Sequence, residues 1–216
     1  MVYVHIQRAI GLTLAAILGV AQPAAATPRA AIAVVEVMGP PNPETISLRD
    51  GKFSSEIAIG AAAGAGSTPA DPSNLQNLKL GDELGVAIQK AFAAKGVVAY
   101  LTGADPHPWP TSSLQISIDD ARYERRLEES KIGPNLLVRF RLYDGTTRDR
   151  LIGDTYMYDM YAKTIGRTIL RPPAEFGFDK SEELQAHPEI ILAALRKGID
   201  MIAQQIVTDI MADIDE

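Results

Sequence analysis

Apolar and polar residues alternate along the middle of the chain, and this alternation predicts a β-sheet. Leu114, Ile116 and Ile118 occupy every second position, which is the period of a strand with one buried face. The alternation changes phase after the pair Asp119-Asp120. A β-bulge at that pair would keep the apolar side chains on one face, so we expect one there.

A second alternating segment follows, with apolar residues at Leu136, Val138, Phe140 and Leu142. It ends at Asp144-Gly145, whose residue types tolerate the positive φ of a tight turn. The pattern therefore predicts an antiparallel hairpin, with a return strand from about Arg150 to Tyr161.

Shorter patterns on the N-terminal side predict four further strands and one amphipathic helix. In chain order they are a strand over Ala30–Met38, a weaker pair of strands over residues 45–59 turning at Asp50-Gly51, a helix over Leu78–Lys95 ended by Gly96, and a strand over Val97–Leu101. A second long helix begins near Pro188 and runs towards Asp213, with isoleucine and leucine side chains at helical spacing. We expect an α+β fold with a mainly antiparallel sheet and two amphipathic helices packed on one face.

The first 26 residues have the pattern of a secretory signal peptide. Arg8 precedes an apolar run of 12 residues, Ala9–Val20, and Ala24-Ala25-Ala26 forms a signal-peptidase site. An uncleaved anchor is the alternative, but a membrane span needs about 20 apolar residues. We expect cleavage near Ala26, a single domain over residues 27–216, and a periplasmic or secreted product.

The net charge and the absence of cysteine limit which classes of partner and which attachments are expected. The formal net charge of −6 lacks the basic footprint of a nucleic-acid-binding protein. The chain has no cysteine, so it has no disulfide, no thiolate and no point of lipid attachment.

Two connecting segments are candidates for interaction. Residues 60–73 form a Gly/Ala/Pro linker that lacks the lysine of a phosphate-binding loop. Because its first half carries no charge, peripheral membrane contact is kept as an alternative to a simple linker. The proline-rich loop before the central strands carries Trp109, either a partner anchor or a cover for the end of the core.

Residues 162–187 form a long connection, which is typical of functional loops. It carries Arg171, Phe176 and Phe178, and we include all three among the candidate partner-binding residues, although two phenylalanines in such a loop more often pin it to the core than bind a partner. Arg139 and Arg141 with Tyr156 and Tyr158 complete the candidates, because the alternation places them on one exposed sheet face.

Nothing in the sequence predicts a catalytic, cofactor or metal site. After signal removal, His107 and His187 are the two remaining histidines, and each stands in a predicted loop before a proline. No serine lies in a Gly-x-Ser-x-Gly elbow. We therefore expect a protein that is not an enzyme and that binds no cofactor.

The order of elements resembles the YajG-like envelope lipoproteins and, more loosely, periplasmic auxiliary proteins of lipid transport and curli secretion. The resemblance lies in Leu84–Val97 (LGVAIQKAFAAKGV), Leu114–Ile118 (LQISI), the hairpin and Ile199–Ile210. It implies a small α+β sandwich without established catalytic residues. Two features depart from it: the lipidation cysteine is missing, and residues 162–187 look like an insertion.

These observations predict an exported, non-enzymatic envelope protein that binds a protein or a lipid-carrier partner in assembly or transport. A small apolar-ligand (lipid) binder is the alternative. A hydrolase of unrecognised type is the third hypothesis.

Overall fold

A computed structural model of the chain describes residues 29–40, 45–50, 53–58, 79–101, 112–163 and 167–214. The strands within these ranges are β1 Arg29–Met38, β2 Thr45–Asp50, β3 Phe53–Ala58, β4 Val97–Leu101, β5 Ser112–Arg125, β6 Gly133–Asp144, β7 Arg150–Ile152, β8 Thr155–Asp159 and β9 Thr168–Leu170. The helices are α1 Leu80–Ala94, α2 Ser181–Ala186 and α3 Pro188–Ile214, with a single 3₁₀ turn at Ala174–Phe176.

Strand β5 is the centre of the sheet. Along one edge it pairs antiparallel with β6, and along its other edge it pairs in parallel with β1 over its first half and β2 over its second half. Strand β6 in turn pairs antiparallel with β7 and β8. The sheet is thus mixed and mostly antiparallel, and the predicted α+β class is confirmed.

The predicted bulge is present. The register between β5 and β6 shifts between Ile118 and Asp120. Ile118 and Tyr123 are an odd number of positions apart, so in a regular strand they would face opposite sides of the sheet. Both are nevertheless buried. The extra residue therefore keeps both halves of β5 facing the same core.

The hairpin turn also lies where Asp144-Gly145 predicted it. The Asp144 carboxylate accepts hydrogen bonds from the backbone N–H groups of Thr146 (2.8 Å) and Thr147 (2.7 Å), which lowers the pKa of Asp144. The return strand differs from the prediction, because β7 and β8 are separate. The interruption lies at Gly153, where an added Cβ would come within 2.8 Å of the Phe140 carbonyl oxygen.

Parallel strands were not predicted at the N-terminal edge, yet β1 lies parallel to both β4 and β5. Parallel neighbours require a crossover connection, and α1 lies in the connection between β1 and β4. The Gln89 side chain of α1 donates to the carbonyl oxygen of Ala99 on β4 at 2.9 Å. This hydrogen bond ties the crossover helix to the strand that follows it.

Helices α1 and α3 pack on one face of the sheet and form a single core with it. The isoleucine and leucine stripe of α3 is buried as predicted, and α1 buries Leu84, Ile88 and Phe92 completely. Gly96 ends α1 with a φ of 74°, as its position predicted. Among the described residues, no helix has the length and apolar character needed to span a membrane.

The connection formed by residues 162–187 contains regular secondary structure. Their described part includes β9, the 3₁₀ turn and α2. The predicted signal peptide, the 60–73 linker and Trp109 lie outside the described residues.

Candidate functional site

One side of the sheet faces away from both helices, and its half around the start of β5 is the best candidate for a site. We call this half the open face. It consists of Met38 on β1, Gln115, Ser117 and Asp119 on β5, and Arg139, Arg141 and Tyr143 on β6. Cross-strand register places Met38, Ser117 and Arg139 in one row and Gln115 beside Arg141 in the next.

The two arginines of the open face differ in their surroundings. Arg139 forms an ion pair with Asp119 at 2.6 Å, and Ser117 donates a hydrogen bond of 2.7 Å to the same carboxylate. Arg141 is exposed, and among the described residues no carboxylate lies within ion-pair distance of it. Of these two arginines, Arg139 is neutralised and Arg141 is unpaired. On the neighbouring strand β7, Arg150 is in register with Tyr143 and donates to the backbone carbonyl of Gly153 at 2.9 Å.

Further along the same side of the sheet, two buried carboxylates share their hydrogen-bond donors. Asn135 donates to Glu124 (3.2 Å) and to Asp159 (2.9 Å), and the Arg126 guanidinium contacts Asp159 at 2.6 Å and Glu124 at 3.4 Å. The Asp159 side chain is 1% exposed and that of Glu124 11%. We call Glu124, Arg126, Asn135 and Asp159 the carboxylate network.

The carboxylate network is satisfied within the chain. Arg122 pairs with Glu124 at 2.9 Å and also with Asp120, and the backbone N–H of Tyr161 donates to Asp159 at 2.6 Å. Within the described ranges, no group of three or more His, Cys, Asp or Glu side chains is arranged to hold a metal ion. The arrangement fixes the end of β8 to the sheet.

Two adjoining hollows lie on the opposite side of the molecule, between α1 and α3. Their volumes are about 340 and 550 Å³, and Ala87, Lys90 and Asp200 line both. Beside the smaller one, Arg196 of α3 makes a bidentate ion pair with Glu83 of α1, with contacts of 2.9 to 3.2 Å. The hollows are open and lined by charges of both signs, so their lining favours no particular ligand.

The predicted grouping of Tyr156 and Tyr158 with the exposed arginines is wrong. Both tyrosines are 0% exposed, because their partners in register are Val138 and Leu136, which face the helices. Arg139 pairs instead with Thr155. The alternation within β8 was too weak in the sequence to show which set of side chains faces inward.

The buried tyrosine hydroxyls are held differently. Tyr156 donates to Asp209 of α3, whereas the hydroxyls of Tyr158 and Tyr123 are buried without a hydrogen-bond partner. Burial raises the pKa of all three phenols, and the neighbouring Asp209 carboxylate raises that of Tyr156 further.

The candidates in the 162–187 segment make contacts within the chain. Arg171 donates to the backbone carbonyls of Asp159 (3.0 Å), Met160 (3.0 Å) and Ala162. Phe178 is 7% exposed, and Phe176 is partly buried against the core. These contacts anchor the segment, as the alternative interpretation of the phenylalanines held; partner binding by the three residues stays a prediction.

Sequence reasoning missed the carboxylate network. Glu124 and Asp159 are far apart in the sequence and lie on strands separated by β6. Only the strand register brings them together, and no spacing in the sequence reports that register.

Comparisons with known proteins give structural similarity without a family assignment. No family model matches the chain, and no curated protein matches it. A solved Xanthomonas campestris protein of family DUF330 is similar at 12% identity, over 86% of each chain, with a TM-score of 0.47. Lipoprotein GNA1162 of Neisseria meningitidis is similar at 12% identity over 60% of this chain and 82% of its own, with a TM-score of 0.33.

The PelC dodecamer of Paraburkholderia phytofirmans is similar at 10% identity, over 81% of this chain and 89% of its own, with a TM-score of 0.33. The similar structures thus include a DUF330 protein and a lipoprotein. At these identities each is a similarity of chain path alone.

Proposed function

We propose that this chain is an exported, non-enzymatic protein of the cell envelope that binds a partner protein through its open face. Export rests on the signal-peptide pattern of residues 1–26. Partner binding rests on the composition of the open face.

The open face is built from residue types that are enriched at protein interfaces. Met38 is 50% exposed, Arg139 and Arg141 are exposed, and Tyr143 is half-buried. Methionine, tyrosine and arginine are enriched at interfaces, whereas lysine, glutamate, aspartate and serine are depleted there, and Ser117 and Asp119 are the two open-face residues of depleted types. Among the described side chains of this face there is no lysine, and the acidic side chain, Asp119, is paired with Arg139. A second acidic position, Glu36 of β1, is in register with Gln115.

The dimensions of the open face favour a modest interface. Five strands, in the order β4-β1-β5-β6-β7, form this half of the sheet. At about 4.8 Å between strands and about 3.3 Å per residue, the face measures roughly 20 by 20 Å, or about 400 Å². Standard interfaces bury about 800 Å² on each partner, so the open face alone supports a transient complex or one part of a larger assembly.

The structure gives less support to the other two hypotheses, an apolar-ligand binder and a hydrolase. The space between sheet and helices is filled by buried side chains such as Phe92, Phe140 and Ile202, which supports no apolar-ligand cavity there. A hydrolase would need reactive groups, and the carboxylates of the network are engaged by Asn135 and two arginines.

Site-specific photocrosslinking tests the proposal. A photoreactive amino acid replaces Met38 on the open face or, as the matched control, Lys197 on the exposed side of α3. In cells that export the chain, we expect a discrete protein adduct from position 38 and none from position 197. Adducts from both positions, or from neither, would contradict the proposal.

A further inference from the structure

We infer that the open face recognises a carboxylate side chain of its partner protein, with Arg141 as the residue that binds it. This inference rests on the proposed function and specifies the chemistry of the partner.

The two arginines have separate roles. Arg139 and Arg141 lie two residues apart on β6 and therefore point to the same side of the sheet. Asp119 already neutralises Arg139 at 2.6 Å, and the Ser117 hydroxyl holds that carboxylate in place. Arg141 stands beside Gln115, an uncharged amide, and Glu36 of β1 is the next residue in the same row. Arg141 makes no ion pair with any described residue.

A partner that covers the open face must compensate Arg141. Guanidinium remains protonated in proteins, so a covered Arg141 stays charged, and a buried unpaired charge is strongly unfavourable. A carboxylate on the partner removes this penalty, because its two oxygens match the fork of the guanidinium. The Gln115 amide, in register with Arg141, is placed to donate a further hydrogen bond to the same carboxylate.

Long-range electrostatics favour a protein carboxylate over an anionic lipid surface. Arg141 by itself, held near such a surface, strengthens binding only about fivefold. The chain as a whole carries a formal charge of −6 and is repelled by an anionic membrane. A carboxylate aligned with Arg141 in a partly desolvated interface gains more than this from one contact.

The test measures how the adduct from position 38 depends on Arg141. We compare the chain with Arg141→Glu, Arg141→Gln and Arg141→Lys variants, and with Lys197→Glu as the control for an equal charge change on the other side. We expect the adduct to fall at least about tenfold in Arg141→Glu and Arg141→Gln. Arg141→Lys keeps the charge but loses the bidentate guanidinium, so its adduct yield should lie between that of the unchanged chain and that of Arg141→Gln. The adduct yield of Lys197→Glu should equal that of the unchanged chain.

The outcomes separate this inference from the proposed function. If position 38 gives a discrete adduct whose yield stays within twofold in both Arg141→Glu and Arg141→Gln, the inference is wrong and the open-face interface stands. If the unchanged chain gives no adduct, the proposed function fails and the inference falls with it. Circular dichroism and a melting temperature within 2 °C, an order-of-magnitude tolerance for a neutral surface change, establish that each variant is folded.

A second arm distinguishes the source of the anion. Purified chain is sedimented with vesicles of phosphatidylglycerol and with neutral vesicles of phosphatidylcholine. We expect no preferential binding to the anionic vesicles. Binding to them that is lost in Arg141→Glu would overturn the inference in favour of a lipid phosphate.

Discussion

Tyr156 on β8 donates a hydrogen bond of 2.5 Å to the carboxylate of Asp209 on α3. Gln205, one helical turn before Asp209, donates to the other oxygen at 2.8 Å. Two positions along β8, the hydroxyl of Tyr158 is equally buried and makes no hydrogen bond. One strand therefore carries two buried tyrosines whose hydroxyls differ in what they contribute to stability.

This difference predicts opposite effects of the same substitution. Tyr156→Phe removes a hydrogen bond to a charged acceptor and should lower the free energy of unfolding by about 1–2 kcal/mol. Tyr158→Phe removes an unsatisfied buried hydroxyl and should leave stability unchanged or raise it by up to about 1 kcal/mol. Urea denaturation of both variants measures this, and equal losses would contradict the assigned hydrogen bonding.

The buried tyrosines also predict a loss of stability at high pH. The pKa values of Tyr123, Tyr156 and Tyr158 are raised in the folded chain above the ordinary value of 10.0, chiefly by burial. Above pH 10 the unfolded chain releases protons that the folded chain retains, so each raised tyrosine lowers stability by up to about 1.4 kcal/mol per pH unit. Below pH 10 these groups contribute no pH dependence.

Absorbance at 295 nm against pH checks this expectation. At least three of the seven tyrosines should stay unionised until the chain unfolds. Tyr158→Phe should reduce by one the number of tyrosines that ionise only when the chain unfolds. A single transition near pH 10 in a chain that remains folded would show that the tyrosines are solvated.

Gly198 sets how closely α3 approaches the sheet. A Cβ added at Gly198 would lie 2.7 Å from the Tyr158 ring, a contact that the rigid ring cannot relieve without moving. Alanine favours a helix over glycine by about 1 kcal/mol, yet we expect Gly198→Ala to be destabilising by about 1–3 kcal/mol. Lys197→Ala, exposed on the same turn, is the control and should stay within about 0.5 kcal/mol of the unchanged chain.

The carboxylate network should matter far more to stability than the ion pair on the helices. Asp159→Ala removes a 1% exposed carboxylate that binds Arg126, Asn135 and the backbone of Tyr161, and should lower stability by about 2–4 kcal/mol. Arg196→Ala breaks an ion pair whose side chains are 51% and 31% exposed, and should lower it by at most about 1 kcal/mol. Equal losses in thermal denaturation would show that Asp159 is not the centre of a network.

Local patterns predicted the elements well. The alternation in β5 and β6, the phase change at Asp119-Asp120 and the turn at Asp144 each report on side chains within a few residues of one another. These features are confirmed because local geometry determines them. Similarly, the isoleucine stripe of α3 fixed which side of that helix is buried.

Features that depend on strands distant in sequence escaped prediction. The sequence does not record that β1 lies between β4 and β5, since a strand pattern is the same beside a parallel or an antiparallel neighbour. Tyr156 and Tyr158 were placed on the wrong side because tyrosine alternates in β8 with threonine and methionine, and none of these residue types shows by itself which face is buried. The pairing of Glu124 with Asp159 through Asn135 depends on the register of three strands.

Cysteine accessibility in intact cells tests the open-face interface most directly. The chain has no native cysteine, so Gln115→Cys on the open face and Lys197→Cys on α3 each create a single labelling site. A membrane-impermeant maleimide should label both purified variants. In cells with a permeabilised outer envelope, we expect Lys197→Cys to be labelled as before and Gln115→Cys to be protected. Equal labelling of the two cysteines in those cells would contradict the interface.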